Sequence, residues 1–314
     1  MTGPLIEELG EEENPSPNTR RRPGTTGKAR SGGRFALYAR RFWRNKLAVV
    51  GVVILLLLIL YALFGATLSP YTRDDTDFLA LNDPPNAEHW FGTNNAGNDL
   101  FTHSVFALRR SLVIAVGTAA AVTIIAALYG SFAAFIGGRV EKFMVGLLNV
   151  LLVIPVFVFL ALISNATDGD WKILMLVLIA TGWYFQGRVV WSLATSLRER
   201  EYVVAARYMG VQNLTNVVRH IIPNVGSLLV INFTYGVVQT VMSETALSFL
   251  GFGVKIPDVS LGVLLSEGNG SLYSAPWLFF IPAAILTLLT VSMAFIADGL
   301  RDALDPNSAA GGRA

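Results

Sequence analysis

Segments of about 20 residues that carry almost no charge constrain this chain more than any motif does. The first, Leu47 to about Ala66, has no charged side chain at all and is long enough for roughly 30 Å of hydrocarbon. Backbone N–H and C=O groups find no partner in lipid, so each such segment must be a helix that satisfies its own. Further apolar runs lie at about Leu112–Ile136, Phe143–Ile163, Trp171–Trp191, Asn224–Leu250 and Trp277–Ala297. The pattern predicts an all-α polytopic membrane protein with six transmembrane helices. Composition agrees: 53% of residues are hydrophobic and 15% charged, against about 25% charged in soluble domains.

Several chemistries are set aside at once. The chain has no cysteine, which rules out disulfides and thiolate metal sites. Its three histidines, His89, His103 and His220, are far apart and form no HExxH, so a zinc hydrolase has no footing. There is no GxxxxGK[ST], and the chain is not expected to hold ATP in a P-loop. No catalytic constellation, metal site or cofactor site is expected in this chain.

Taken in order, residues 1–34 are polar, with Glu11–Glu13 ahead of Arg20–Arg22. They read as a disordered cytoplasmic tail with too little apolar surface to offset ordering entropy. Its basic cluster suits a membrane surface better than a nucleic acid. Residues 35–66 read as an interfacial helix running into the first span, an uncleaved anchor rather than a signal peptide. Residues 67–107, rich in Asp, Asn and Pro, read as an external loop. Residues 108–300 form the core, with the five remaining spans, and residues 301–314 a cytoplasmic tail. In the second span Gly117, Ala120, Ala121, Ala127, Gly130, Ser131 and Ala134 favour close helix packing. Pro155 predicts a kink in the third span. Arg188, near the inner end of the fourth, can extend toward the interface.

Between the fourth and fifth spans lies a polar stretch, residues 196–223, containing EYVVAARYMG and, further on, Pro223. Glu201 to Met209 has helix formers, and Gly210 offers a left-handed cap because it lacks a Cβ. Pro223 suits the first turn of the next helix. Charge fixes the side on which this stretch lies. Nineteen of the 24 Lys and Arg fall on segments that are internal if both termini are cytoplasmic. Arg73, Arg109, Arg110, Lys172 and Lys255 fall outside. By the positive-inside rule the 196–223 loop is cytoplasmic.

These residues resemble the EAA loop of ABC importer permeases, with Val204-Ala205-Ala206 in place of the Glu-Ala-Ala triplet, and with Gly210 and Pro223 at the glycine and proline. Valine replaces the glutamate, and Glu201, three residues earlier, lies on nearly the same helix face. Three further blocks resemble the dipeptide/oligopeptide branch of that family, its C-type subunit most closely. They are His89–Asp99 (HWFGTNNAGND), Glu244–Gly253 with Pro257, Ser260 and Gly262, and Asp298–Pro306 (DGLRDALDP). The resemblance implies the type I importer permease fold and a role as half of a translocation pathway for di- or oligopeptides in a prokaryotic cell membrane. It also implies a second homologous permease, two ATPase subunits or one fused ATPase binding ATP and Mg, and an extracytoplasmic substrate-binding protein. The docking residues would be Glu201, Val204, Ala205, Ala206, Arg207, Gly210 and Pro223. Nickel or another small solute is the alternative cargo, and a self-sufficient secondary transporter the rival outside the family. The polar residues of His89–Asp99 fit turns and helix caps, with a metal or sugar site as the alternative.

The fifth span carries the candidate pathway. Asn232, Gln239 and Ser243 are seven and four residues apart, which puts them on one narrow stripe with Tyr235 at its edge. Amides are costly against lipid. The stripe therefore meets either a neutral polar path for a peptide or other helices through hydrogen bonds. Glu244, near the outer boundary, falls off the stripe.

Overall fold

The computed structural model describes residues 34–166, 169–209, 213–255 and 257–304. Of the tails expected over residues 1–34 and 301–314, residues 1–33 and 305–314 lie outside these residues, as does the Gly210 cap, whereas Arg34 and residues 301–304 are helical.

Helix α1 (Arg34–Arg44) is a basic helix over the stretch expected to be an interfacial helix. Asn45 then separates it from α2 (Lys46–Leu68) and caps α2, its Oδ1 accepting from Leu47 N and Ala48 N at 3.1 and 3.3 Å. Much of α2 stays uncovered: Leu56, Leu57, Leu63 and Phe64 are each more than half exposed. Four such side chains would oppose folding in water and are at home in lipid.

The next helix, α3 (Leu100–Ile136), starts well before the expected Leu112, so the loop expected over residues 67–107 ends at Asp99. Asp99 caps it, accepting from Thr102 N at 2.8 Å. Polar residues interrupt the apolar pattern in its first turns, but each has a tertiary partner. His103 Nε2 donates to Arg73 O at 3.0 Å and Ser104 Oγ lies 2.6 Å from the Tyr61 hydroxyl. Arg109 donates to Ala62 O through Nε and Nη2 at 3.0 and 2.8 Å.

Gly137 (φ 73°) and Gly138 (φ 64°) turn the chain in the left-handed region that glycine tolerates. The expected kinked third span is in fact two helices, α4 (Gly138–Leu151) and α5 (Val156–Ala166), bent by 69°. Pro155 supplies no N–H and disfavours helical geometry in the residue before it. The fourth span is α6 (Trp171–Arg198), capped by Asp170. It is followed by α7 (Glu201–Tyr208) and α8 (Asn213–Asn216).

From α8 the chain stays helical through a π-turn, Val217–Ile221, into α9 (Ile222–Phe249). Pro223 does lie in the first turn of α9, yet it does not restart a broken helix. Ile222 N–H bonds Val217 O, five residues back. The widened turn accommodates a residue that has no N–H and whose ring crowds the preceding turn.

A helix not expected from the sequence, α10 (Leu261–Gly270), follows, and α11 (Trp277–Leu304) contains Pro282 and ends beyond the expected Ala297. Among the described residues, five helices are long and apolar enough to cross a membrane, and the bent α4/α5 pair makes a sixth if it is one span. The six-span reading therefore holds when that pair counts as one.

Helix α3 is the hub, packed against α2, α6, α9 and α10. Gly130 lets it approach α6 closely: a Cβ there would lie 2.5 Å from Gly187 O and 2.8 Å from Trp191 N. The small residues Ala127, Gly130, Ser131 and Ala134 are buried along this contact as expected, whereas Ala120 and Ala121 are only partly covered.

Candidate functional site

Two candidate surfaces emerge, one at the end of the bundle expected to be cytoplasmic and one within the bundle. At the first, α6 passes to α7 in a tight turn, with Arg200 N donating to Leu197 O and Val203 N to Arg200 O. Val203 is 1% exposed and packs with Ala134, Phe135, Ala194, Val217 and Ile221. That cluster joins α7 to the inner ends of α3, α6 and the π-turn. The other side of α7 is open: Glu201 and Val204 are exposed, Tyr208 is 88% and Met209 75% exposed. Ala205, Ala206 and Arg207 are helical positions whose side chains fall outside the described set, as does Gly210 entirely. A cleft of about 450 Å³ lined by Phe135, Arg198, Val203, Val204 and Tyr208 runs beside α7. Pro223 borders a second cleft with Thr215, Val218 and Arg219.

A clamp with no signature along the chain holds this end together. Glu141, at the start of α4, accepts from Trp191 Nε1 at 2.8 Å and from Arg198 Nη1 at 3.1 Å. Arg198 Nη1 also donates to Ala134 O at 2.9 Å. One carboxylate thus ties α4 to the end of α6, next to α7. A partly buried, hydrogen-bonded ion pair holds position more than it adds stability.

The expected stripe on α9 divides between two surroundings. Gln239 and Ser243 line a cavity of about 120 Å³ between α3, α5, α6 and α9, joined by Thr118, Thr181, Gln186 and Thr240. Tyr235 instead donates its hydroxyl to Asp298 Oδ1 on α11 at 2.7 Å. Asn232 is half-buried and is not among the cavity's lining. Spacing on one helix defines a face, but only the neighbouring helices decide which part of it meets an open space. Gln186 and Thr118 were missed because they stand alone on their own helices.

At the outer end, Glu244 is 1% exposed and accepts from Ser248 Oγ at 2.7 Å and Ser260 Oγ at 2.6 Å. Ser260 caps α10, so Glu244 pins that helix to α9. The motif around His89 is a self-bonded knot. His89 Nδ1 lies 3.1 Å from Asp99 Oδ1, and Asn94 Oδ1 accepts from Ala96 N and Asn98 N. Gly92 and Gly97 take positive φ. The side chains expected to make turns and caps do so here. Asp258 binds Arg110 and, at 3.9 Å, Arg73, while Arg110 stacks on Trp171 at 4.3 Å. In the same loop the Thr72 N–H donated to Asp75 holds that carboxyl below its usual range.

Residues 126–309 match the family described as binding-protein-dependent transport system inner membrane component. Residues 34–85 match the N-terminal TM domain of oligopeptide transport permease C. The chain is 43% identical over 277 residues to the oligopeptide transport system permease protein OppC of Mycobacterium tuberculosis H37Rv, covering 88% of this chain and 95% of the relative. It is 35% identical to the protein of that name from Escherichia coli K12, over 85% of this chain and 89% of the relative. It is 33% identical to the dipeptide transport system permease protein DppC of Bacillus subtilis, over 85% and 84%.

Proposed function

Because this chain belongs to the binding-protein-dependent transport system inner membrane components, we propose that it is one permease half of an ATP-driven importer for di- and oligopeptides. Its partners in this reading are a second homologous permease, two ATPase subunits or one fused ATPase, and an extracytoplasmic substrate-binding protein. ATP and Mg belong to the ATPase. The relatives named for oligopeptide and dipeptide transport support the cargo.

One observation carries the mechanical part: α7 is anchored on one side by Val203, and among the described residues Val204, Tyr208 and Met209 are exposed on the other. An exposed aromatic and an exposed methionine beside a cleft suit a protein partner. A push on that side reaches the inner ends of α3 and α6 through Val203, Ala134, Phe135 and Ala194. The Glu141 clamp carries it on to α4. Motion of α3, α6 and α9 against one another would then open or close the cavity that holds Gln239 and Ser243. The chain itself performs no bond chemistry.

The test is uptake of a labelled tripeptide by the assembled complex in proteoliposomes. ATP-dependent, binding-protein-dependent accumulation is expected. Accumulation of another small solute with no peptide uptake would overturn the cargo, and uptake without ATP would overturn the mechanism.

A further inference from the structure

The walls of the α3–α5–α6–α9 cavity carry hydroxyls and carboxamides but no Asp, Glu, Lys or Arg. Among the described residues, two of their polar atoms are buried without a hydrogen-bond partner: Thr118 Oγ1, on a side chain 3% exposed, and Gln186 Oε1. Folding normally pairs such atoms, because an unpaired buried polar group is a net cost. Hydroxyls on the same walls are spent on their own helices: Thr181 donates to Val177 O and Thr240 to Gly236 O, each at 2.8 Å. Thr118 and Gln186 are held in reserve instead. Gly236 keeps the space beside Gln186 open, since a Cβ there would lie 3.5 Å from Gln186 Nε2 and 3.3 Å from Ala119 Cβ.

We propose that this cavity is a subsite for secondary amides, in which Gln186, Thr118 and Gln239 hydrogen-bond the backbone of the passing peptide. This rests on the peptide-importer reading above. A carboxamide offers two N–H donors and one carbonyl acceptor, and a hydroxyl can do both. Each peptide unit of the solute presents one donor and one acceptor, so the match repeats at every residue whatever its side chain. A charged wall would hold one class of side chain or one terminus and delay its release. Neutral hydrogen bonds are individually weak in a wet pathway and exchange with water. The subsite therefore selects for amide bonds and is indifferent to side-chain charge.

The assembled complex in proteoliposomes, supplied with saturating peptide-loaded binding protein, provides the test. The probes are tripeptides with an acidic, neutral or basic central residue, and one whose central amide is N-methylated. The parent should import the three ordinary tripeptides at similar rates and the N-methylated one about fivefold more slowly, the effect of one hydrogen bond. Gln186→Leu and Thr118→Val should slow all three ordinary tripeptides by about the same factor. They should also remove the difference from the N-methylated probe, while complex recovery stays at the parental level. A general packing defect would slow transport but leave the discrimination in place, which would overturn the subsite. So would variants that transport like the parent, or that slow only one charge class. If Gln186→Leu fails to assemble, Thr118→Val, near-isosteric, and Gln239→Leu, at an exposed position, decide between the same outcomes. A parent complex that imports no peptide would instead overturn the importer reading, and the subsite with it.

Discussion

Between Arg73 and Asp99, at the outer end, polar side chains and backbone groups bond one another, whereas around α7, at the inner end, apolar side chains stand uncovered. His89, Asn94, Asp99 and Thr102 are tied into turns and a cap by bonds of 2.8–3.1 Å. Tyr208 and Met209 are 88% and 75% exposed. Both stretches are polar islands between apolar runs, and composition treats them alike. The difference lies in where each finds its partners. The outer island bonds within the chain; among the described residues the inner one leaves Tyr208 and Met209 exposed.

Topology is the assumption on which the comparison stands, and its test has an all-or-none outcome. The native chain has no cysteine, so single cysteines report cleanly. On intact cells an impermeant thiol reagent should label a cysteine at Asn95 and spare one at Thr215, both exposed positions. Labelling at Thr215 alone would invert the molecule and remove α7 from the cytoplasm.

The next largest effect belongs to the knot. Asp99→Ala strips acceptors from His89 Nδ1, Thr102 N and Thr102 Oγ1, all buried. The expected loss is about 3–5 kcal/mol, read as a lowered unfolding midpoint in detergent, and Asp99→Asn should recover part of it. A midpoint unchanged by Asp99→Ala would mean that the outer end is not a scaffold. Glu244→Ala should cost slightly less, about 2–4 kcal/mol, because two buried hydroxyls, those of Ser248 and Ser260, lose their acceptor. The accompanying sign is faster proteolysis near α10; protection equal to the parent would argue against the pin.

What could be read from the sequence follows the same division between local and distant causes. Span positions were legible because lipid demands uncharged length, as at Leu47–Ala66, and the Asp99 and Pro223 signals are local to their helices. The first turns of α3 were not, since His103, Ser104 and Arg109 look like loop until Arg73, Tyr61 and Ala62 are seen to satisfy them. Helix α10 was hidden for a similar reason: its anchor, Glu244, bonds Ser260 across 16 positions. Within the candidate pathway, Gln239 and Ser243 were found by helical spacing. Gln186 and Thr118 were not, because each lies on a different helix and no pattern along the chain links them. Spacing also grouped Tyr235 with the stripe, although Asp298, from α11, draws it elsewhere.

The smallest effect on stability should come from the inner face, and the same variant gives the most direct test of the central claim. Tyr208→Ser combined with Met209→Ser changes side chains that pack on little of this chain, so the unfolding midpoint should move by no more than about 0.5 kcal/mol equivalent. Affinity-purified complex from one membrane preparation should then retain the second permease and lose most of its ATPase subunits, with peptide uptake falling at least about tenfold, as expected when two central interface side chains are removed. Full recovery of the ATPase together with parental uptake would contradict the account, because α7 would then not be the surface through which ATP hydrolysis reaches the pathway.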